Sequence, residues 1–197
     1  MKILVYLHGF RSSPASIKAT RLRAFVESLP SRPTLHIPEL EHRPAQAMRQ
    51  VIDWVDANAG RGTDRDDVAF VGSSLGGFYA TYLAERYAAR AVMINPAVRP
   101  YEALATSLGV QTNLYTGEAF EVTRSHMDEL RAMAVPRITH PERCFLLVET
   151  GDEVLDYREA VAFYAGAFQY VHGGGNHTFT QFEPQIPAIL HFAGIAA

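Results

Sequence analysis

Cysteine is nearly absent from this chain: Cys144 is the only one among 197 residues. No intramolecular disulfide can form. With no basic motif beside it, Cys144 in the run Cys144-Phe145-Leu146-Leu147-Val148 is expected to be a buried strand residue rather than a nucleophile. Excess charge of one sign is missing too. Lys and Arg number 18 against 21 Asp and Glu, a net of -3, which leaves no electrostatic footprint for nucleic acid or an anionic membrane. No apolar stretch approaches the about 20 residues that a bilayer-spanning helix needs. The N-terminal run Met1-Lys2-Ile3-Leu4-Val5-Tyr6-Leu7 reads as a strand and lacks the small-residue cleavage site of a signal peptide. Together these features lead us to expect a cytoplasmic protein. Internal repeats and low-complexity segments are also lacking.

What is present is enough for one compact domain over residues 1–197, with 48% hydrophobic and 20% charged residues. Short apolar runs at 2–7, 34–37, 67–71, 90–95, 143–149 and 168–172 alternate with helix-length segments near 14–29, 44–58, 75–88, 156–167 and 184–195. That alternation predicts an α/β fold with a mainly parallel six-stranded sheet and helical crossovers. Runs such as Ala91-Val92-Met93-Ile94 suit strands covered on both faces. The segment 44–58 places Met48, Val51, Ile52 and Val55 on one helical face. Residues 60–67 read as a polar surface loop. Between about 97 and 141 no strand is convincing but helical fragments occur, for instance 125–134. This predicts a small helical cap or lid inserted over the active site.

The chemistry is concentrated in Gly72-Ser73-Ser74-Leu75-Gly76, which follows the apolar run Val68-Ala69-Phe70-Val71 and leads into a helical stretch. A strand, G-x-S-x-G and a helix in that order form a nucleophile elbow: a turn so tight that the central serine is strained and lifted off the sheet edge. Serine attacks well only when a base takes its proton, and that base is generally a histidine steered by a carboxylate. On this architecture the chain order is Ser, acid, His.

The base is assigned to His177, in the flexible loop Gly173-Gly174-Gly175-Asn176-His177 after the last strand, with His172 at that strand's end as its competitor. The acid is assigned to Asp152, in Thr150-Gly151-Asp152-Glu153-Val154-Leu155-Asp156, against Glu149, Glu153 and Asp156. Asp156 is better placed as a helix N-cap, with Glu159 completing a capping-box-like pair. Oxyanion donors are expected from the backbone N–H of Leu75 and, in the loop after the first strand, of Phe10. His8 in that loop either lines the site or is structural. The remaining histidines are scattered and no recognised ligand spacing occurs, so no metal site is assigned.

With these residues in place the chain resembles the YqiA-like bacterial esterases of the α/β-hydrolase superfamily. The likeness runs through Tyr6-Leu7-His8-Gly9-Phe10, Val71-Gly72-Ser73-Ser74-Leu75-Gly76-Gly77, Asn95-Pro96-Ala97-Val98-Arg99-Pro100 and Tyr115-Thr116-Gly117. It continues through Thr150-Gly151-Asp152-Glu153-Val154-Leu155-Asp156-Tyr157 and Gly174-Gly175-Asn176-His177. The resemblance implies a reduced α/β-hydrolase sheet, hydrolysis of small-molecule carboxylic esters with thioesters as further substrates, and no cofactor. Its catalytic residues fall on Ser74, Asp152 and His177. The same machinery serves amide hydrolysis and acyl transfer. A non-catalytic binding module of the same fold is the alternative from another class, and a metal-dependent hydrolase would need clustered ligands.

Overall fold

A computed structural model describes residues 2–59 and 65–196. Six strands form one wholly parallel sheet: β1 (Ile3–Leu7), β2 (Thr34–His36), β3 (Val68–Ser73), β4 (Arg90–Ile94), β7 (Cys144–Glu149) and β8 (Phe168–His172). Their spatial order is β2-β1-β3-β4-β7-β8. The four central strands are buried almost throughout, which is why they read as unbroken apolar runs.

Alternate residues of β1 serve opposite faces. Ile3, Val5 and Leu7 join the core under α2 (Pro44–Asn58), α3 (Leu75–Tyr87), α5 (Arg124–Ala132) and α6 (Tyr157–Phe163). Leu4 and Tyr6 join the core under α1 (Ile17–Ser28) and α7 (Phe182–Phe192). Met48, Val51 and Val55 of α2 are buried as its periodicity predicts, and Cys144 is buried in β7. Burial pushes the Cys144 thiol up to about 12, which keeps it protonated and inert.

The chain leaves β1 toward β2 on one side and returns to β3 on the other. The loops after β1 and β3 therefore face each other across a crevice at the carboxyl ends of the strands, where open α/β sheets bind ligands. The loops after β4, β7 and β8 open on the same rim.

The insertion corrects the expectation of a purely helical segment. Beside α4 (Pro100–Ala103) and α5 it contains an antiparallel hairpin, β5 (Gly109–Thr112) with β6 (Ala119–Val122). Its turn closes on Asn113, whose N–H donates to the Glu118 carbonyl at 2.8 Å and whose Oδ1 accepts from the N–H groups of Tyr115 and Thr116. One face of the hairpin (Gly109, Gln111, Phe120, Val122) turns inward and the other (Val110, Thr112, Ala119, Glu121) is exposed. Gln111 lies on the inner face, however, and Val110 and Ala119 on the outer, so polarity does not follow burial and the hairpin shows no clean two-residue hydrophobic alternation to read. It is tied to the loop after β1: Leu114 N–H donates to the Arg11 carbonyl at 2.9 Å, and Arg11 Nε donates to the Thr112 carbonyl at 2.8 Å. Of the loop expected at 60–67, residues 60–64 lie outside the described residues, and Arg65–Asp67 forms a single 3-10 turn.

Candidate active site

Ser74 sits between β3 and α3 with φ 57 and ψ -120, the strained conformation an elbow imposes. Flanking glycines are obligatory because backbone comes so close. A Cβ on Gly72 would stand 2.0 Å from the Gly76 carbonyl oxygen, and one on Gly76 would stand 2.0 Å from that of Leu7. The Ser74 backbone is held on both sides, its N–H donating to the Ile94 carbonyl at 3.0 Å and its carbonyl accepting from Gly77 at 2.9 Å and Ala97 at 3.1 Å.

Three side chains distant in sequence meet above this rim. His177 Nε2 lies 3.1 Å from Ser74 Oγ. His177 Nδ1 lies 2.9 Å from Asp152 Oδ2 and 3.0 Å from Oδ1. A carboxylate accepts only, so Nδ1 carries the proton and Nε2 turns its lone pair toward the serine hydroxyl. The Asp152 side chain is 2% exposed, and its Oδ1 also accepts from the N–H groups of Val154 and Leu155, both at 2.9 Å. Burial alone would raise this carboxyl; the hydrogen bonds from His177, Leu155 and Val154 outweigh it and hold Asp152 below its ordinary range.

The competitors lie elsewhere. Glu153 accepts the backbone N–H of His177 at 2.9 Å rather than its ring. Asp156 caps α6 by accepting the Arg158 N–H at 3.0 Å. The capping-box pair expected with Glu159 is absent: the Glu159 carboxylate is drawn instead to the Arg99 guanidinium. His172 stacks on Tyr170 at the end of β8. His8, 5% exposed, is structural, its Nε2 accepting the Leu40 N–H at 3.3 Å and its Nδ1 facing the Gly9 carbonyl at 3.1 Å. Burial lowers its pKa.

The loop after β1 presses on the elbow, since a Cβ on Gly9 would stand 3.3 Å from Ser74 Cβ. Among the described residues no hydrogen bond takes up the N–H of Phe10 or of Leu75. That loop divides two clefts. One, about 400 Å³, is lined by Ser74, His177, Lys18, Leu114 and Tyr115. The other, about 200 Å³, is lined by His8, Leu75, Tyr79 and Phe120.

Two residues that hold the site were missed in the sequence. Glu149, wholly buried at the end of β7, accepts from Asn176 N–H at 2.8 Å, Thr180 Oγ1 at 2.6 Å and Gln181 N–H at 3.1 Å. It brackets the loop that carries His177. Asn95, 2% exposed and at φ 40, donates from Nδ2 to the carbonyls of Asn176 and His177 and accepts the Glu149 N–H. Only the strand-end position of Glu149 was legible, and nothing local marked it as an anchor.

The model of the UPF0227 family, described as an uncharacterised protein family, matches residues 3–194. The chain belongs to the UPF0227 family. A UPF0227 protein of Pectobacterium carotovorum subsp. carotovorum is 24% identical over 196 residues, covering 96% of this chain and 98% of the relative. Among solved structures, alpha/beta hydrolase domain-containing protein 10 from mouse superposes with a TM-score of 0.71 at 17% identity, covering 98% of this chain and 89% of that one. The esterase domain from a Rhodothermus marinus protein superposes with a TM-score of 0.68 at 13% identity, covering 98% and 86%. These likenesses show the α/β-hydrolase fold for this member of the UPF0227 family. No helix among the described residues is long and apolar enough to cross a membrane.

Proposed function

We propose that this UPF0227 protein is a serine esterase that hydrolyses small-molecule carboxylic esters through an acyl-enzyme. The observation that carries the reading is the unbroken line from Asp152 through His177 to Ser74, with contacts of 2.9 and 3.1 Å. Ser74 Oγ attacks the ester carbonyl as its proton passes to His177 Nε2. Asp152 holds the Nδ1 proton and steadies the imidazolium. The N–H groups of Phe10 and Leu75 receive the oxyanion, each such donor lowering the barrier by about 3 kcal/mol. The alcohol leaves with the His177 proton. Water then attacks the acyl-serine, giving a proton to Nε2 that returns to Ser74 Oγ as the acid departs.

Thioesters fall within the same chemistry, because the carbonyl, oxyanion and proton transfers are unchanged. The insertion 97–141 acts as the cap, with Leu114 and Tyr115 of its hairpin turn forming one wall of the larger cleft. The name of the Rhodothermus neighbour supports the same reaction class. Hydrolysis of short p-nitrophenyl esters is the test. Ser74→Ala should lower kcat by roughly 10⁴–10⁶-fold, and retention of most activity would contradict the reading.

A further inference from the structure

The cleft beside Ser74 is unlike the rest of the molecule in charge. Arg11, Lys18 and Arg21 line it against the single carboxylate Glu183, in a chain whose net charge is -3. The one carboxylate is weakly committed: Glu183 meets Arg21 at 3.4 Å with both side chains more than half exposed, a pair worth little in water. Lys18 gives one proton to the Thr178 carbonyl at 2.8 Å, beside His177. Among the described residues no carboxylate comes within 4.0 Å of its ammonium. Burial pushes Lys18 down to about 8 against the pull of Glu149, whose own oxygens are already taken by Asn176, Thr180 and Gln181. Among the described residues this ammonium has no direct ion-pair partner.

The start of α1 adds to the same field. Its cap residue Ser16 makes no side-chain cap bond, and its first turn holds no acidic residue. Among the described residues the N–H groups of Ile17, Lys18 and Ala19 have no acceptor. Ser16 is 7% exposed and lines the cleft beside the Tyr6 phenol, and among the described residues its Oγ makes no hydrogen bond of ordinary geometry. A helix N-terminus with open donors and flanking cations attracts an anion. Apolar Ile17, Leu114 and Tyr115 line the same cleft.

We propose that this cleft takes an ester bearing an oxyanionic group, a carboxylate or a phosphate, held by Lys18 and Arg21 at the first turns of α1. The ester part of this statement rests on the esterase reading; the anion site does not. An apolar segment of substrate lies against Leu114 and Tyr115 while the charged group reaches the cations, and the reactive carbonyl stays over Ser74.

Binding to Ser74→Ala protein, followed by NMR titration, tests it with three probes that share an ethyl ester: ethyl butyrate, monoethyl glutarate and ethyl 4-phosphonobutyrate. At least one anionic probe should bind about tenfold or more tighter than ethyl butyrate, and the two anionic arms separate carboxylate from phosphate. The gap should shrink in about 0.5 M NaCl and close when Lys18→Gln and Arg21→Gln are added. Equal binding of the three probes, or a gap that survives both substitutions, overturns the proposal. A gap unmoved by salt overturns it as well, with no further variant needed. Turnover of all three esters by the unsubstituted protein is read alongside. Turnover of none of them with a persisting gap sinks the esterase reading and leaves the anion site standing, whereas turnover without a gap does the reverse.

Discussion

Asn95 fastens His177 by its backbone rather than by its ring. The Asn95 carboxamide donates to the His177 carbonyl at 3.1 Å and to that of Asn176 at 3.0 Å, while its oxygen accepts the Glu149 N–H at 3.0 Å. One side chain at the end of β4 thus ties the end of β7 to the loop after β8, and the imidazole inherits its position from those ties.

Asn95→Ala breaks three hydrogen bonds, one buried and two partly buried, and puts alanine at a positive φ that asparagine tolerates better. The expected cost is about 2–4 kcal/mol, seen as a fall in Tm of about 5–12 °C. If Asn95 positions the base, kcat should fall about 10–100-fold with KM nearly constant. A fall in Tm with kcat unchanged would reduce Asn95 to a purely structural residue.

Asp152 and Glu153 are adjacent carboxylates that grip His177 at different atoms, the ring Nδ1 and the backbone N–H respectively. Asp152→Asn should lower kcat by about 10⁴-fold, since an amide cannot hold the same tautomer. Glu153→Gln keeps an acceptor for the backbone N–H and should cost less than about tenfold. Steady-state kinetics on the two variants separates the roles, and equal losses would contradict the assignment.

Acid should loosen the insertion. His126 of α5 is 4% exposed, with Nδ1 accepting the Thr123 N–H at 3.1 Å and Nε2 facing His42 Nδ1 at 3.2 Å. Burial, then the charges of Arg43 and His42, lowers its pKa despite the opposing Glu129. The folded state therefore binds this proton less readily than the unfolded chain. Stability is unaffected above the ordinary value of 6.5 and is lost as pH falls below it. His8 and His36 are lowered as well and add to the same slope. Tm should drop between pH 6.5 and about pH 5, less steeply in His126→Gln; identical slopes in both proteins would rule His126 out.

What the sequence disclosed and what it concealed divide by range of interaction. The strands Val68–Ser73 and Arg90–Ile94 are buried on both faces, so each displays its apolar run locally. Ser74, Asp152 and His177 stand in turns whose glycines and strand-end positions are local too. Asn95 acts on a residue 82 positions away, and Glu149 on one 31 positions away, so no nearby pattern marks either. The hairpin of β5 and β6 escaped notice because Val110 and Ala119 face water while Gln111 turns inward, so its polarity does not follow its burial. Nothing near Lys18 in the sequence singles it out, and only the fold brings it beside Thr178.

Active-site labelling with a fluorophosphonate, followed by peptide mapping, tests the central claim most directly, because the reagent captures only a serine whose proton can be removed. One equivalent should attach at Ser74, and the rate should fall steeply in His177→Ala protein. Labelling at another residue, or none in folded protein, would contradict the account.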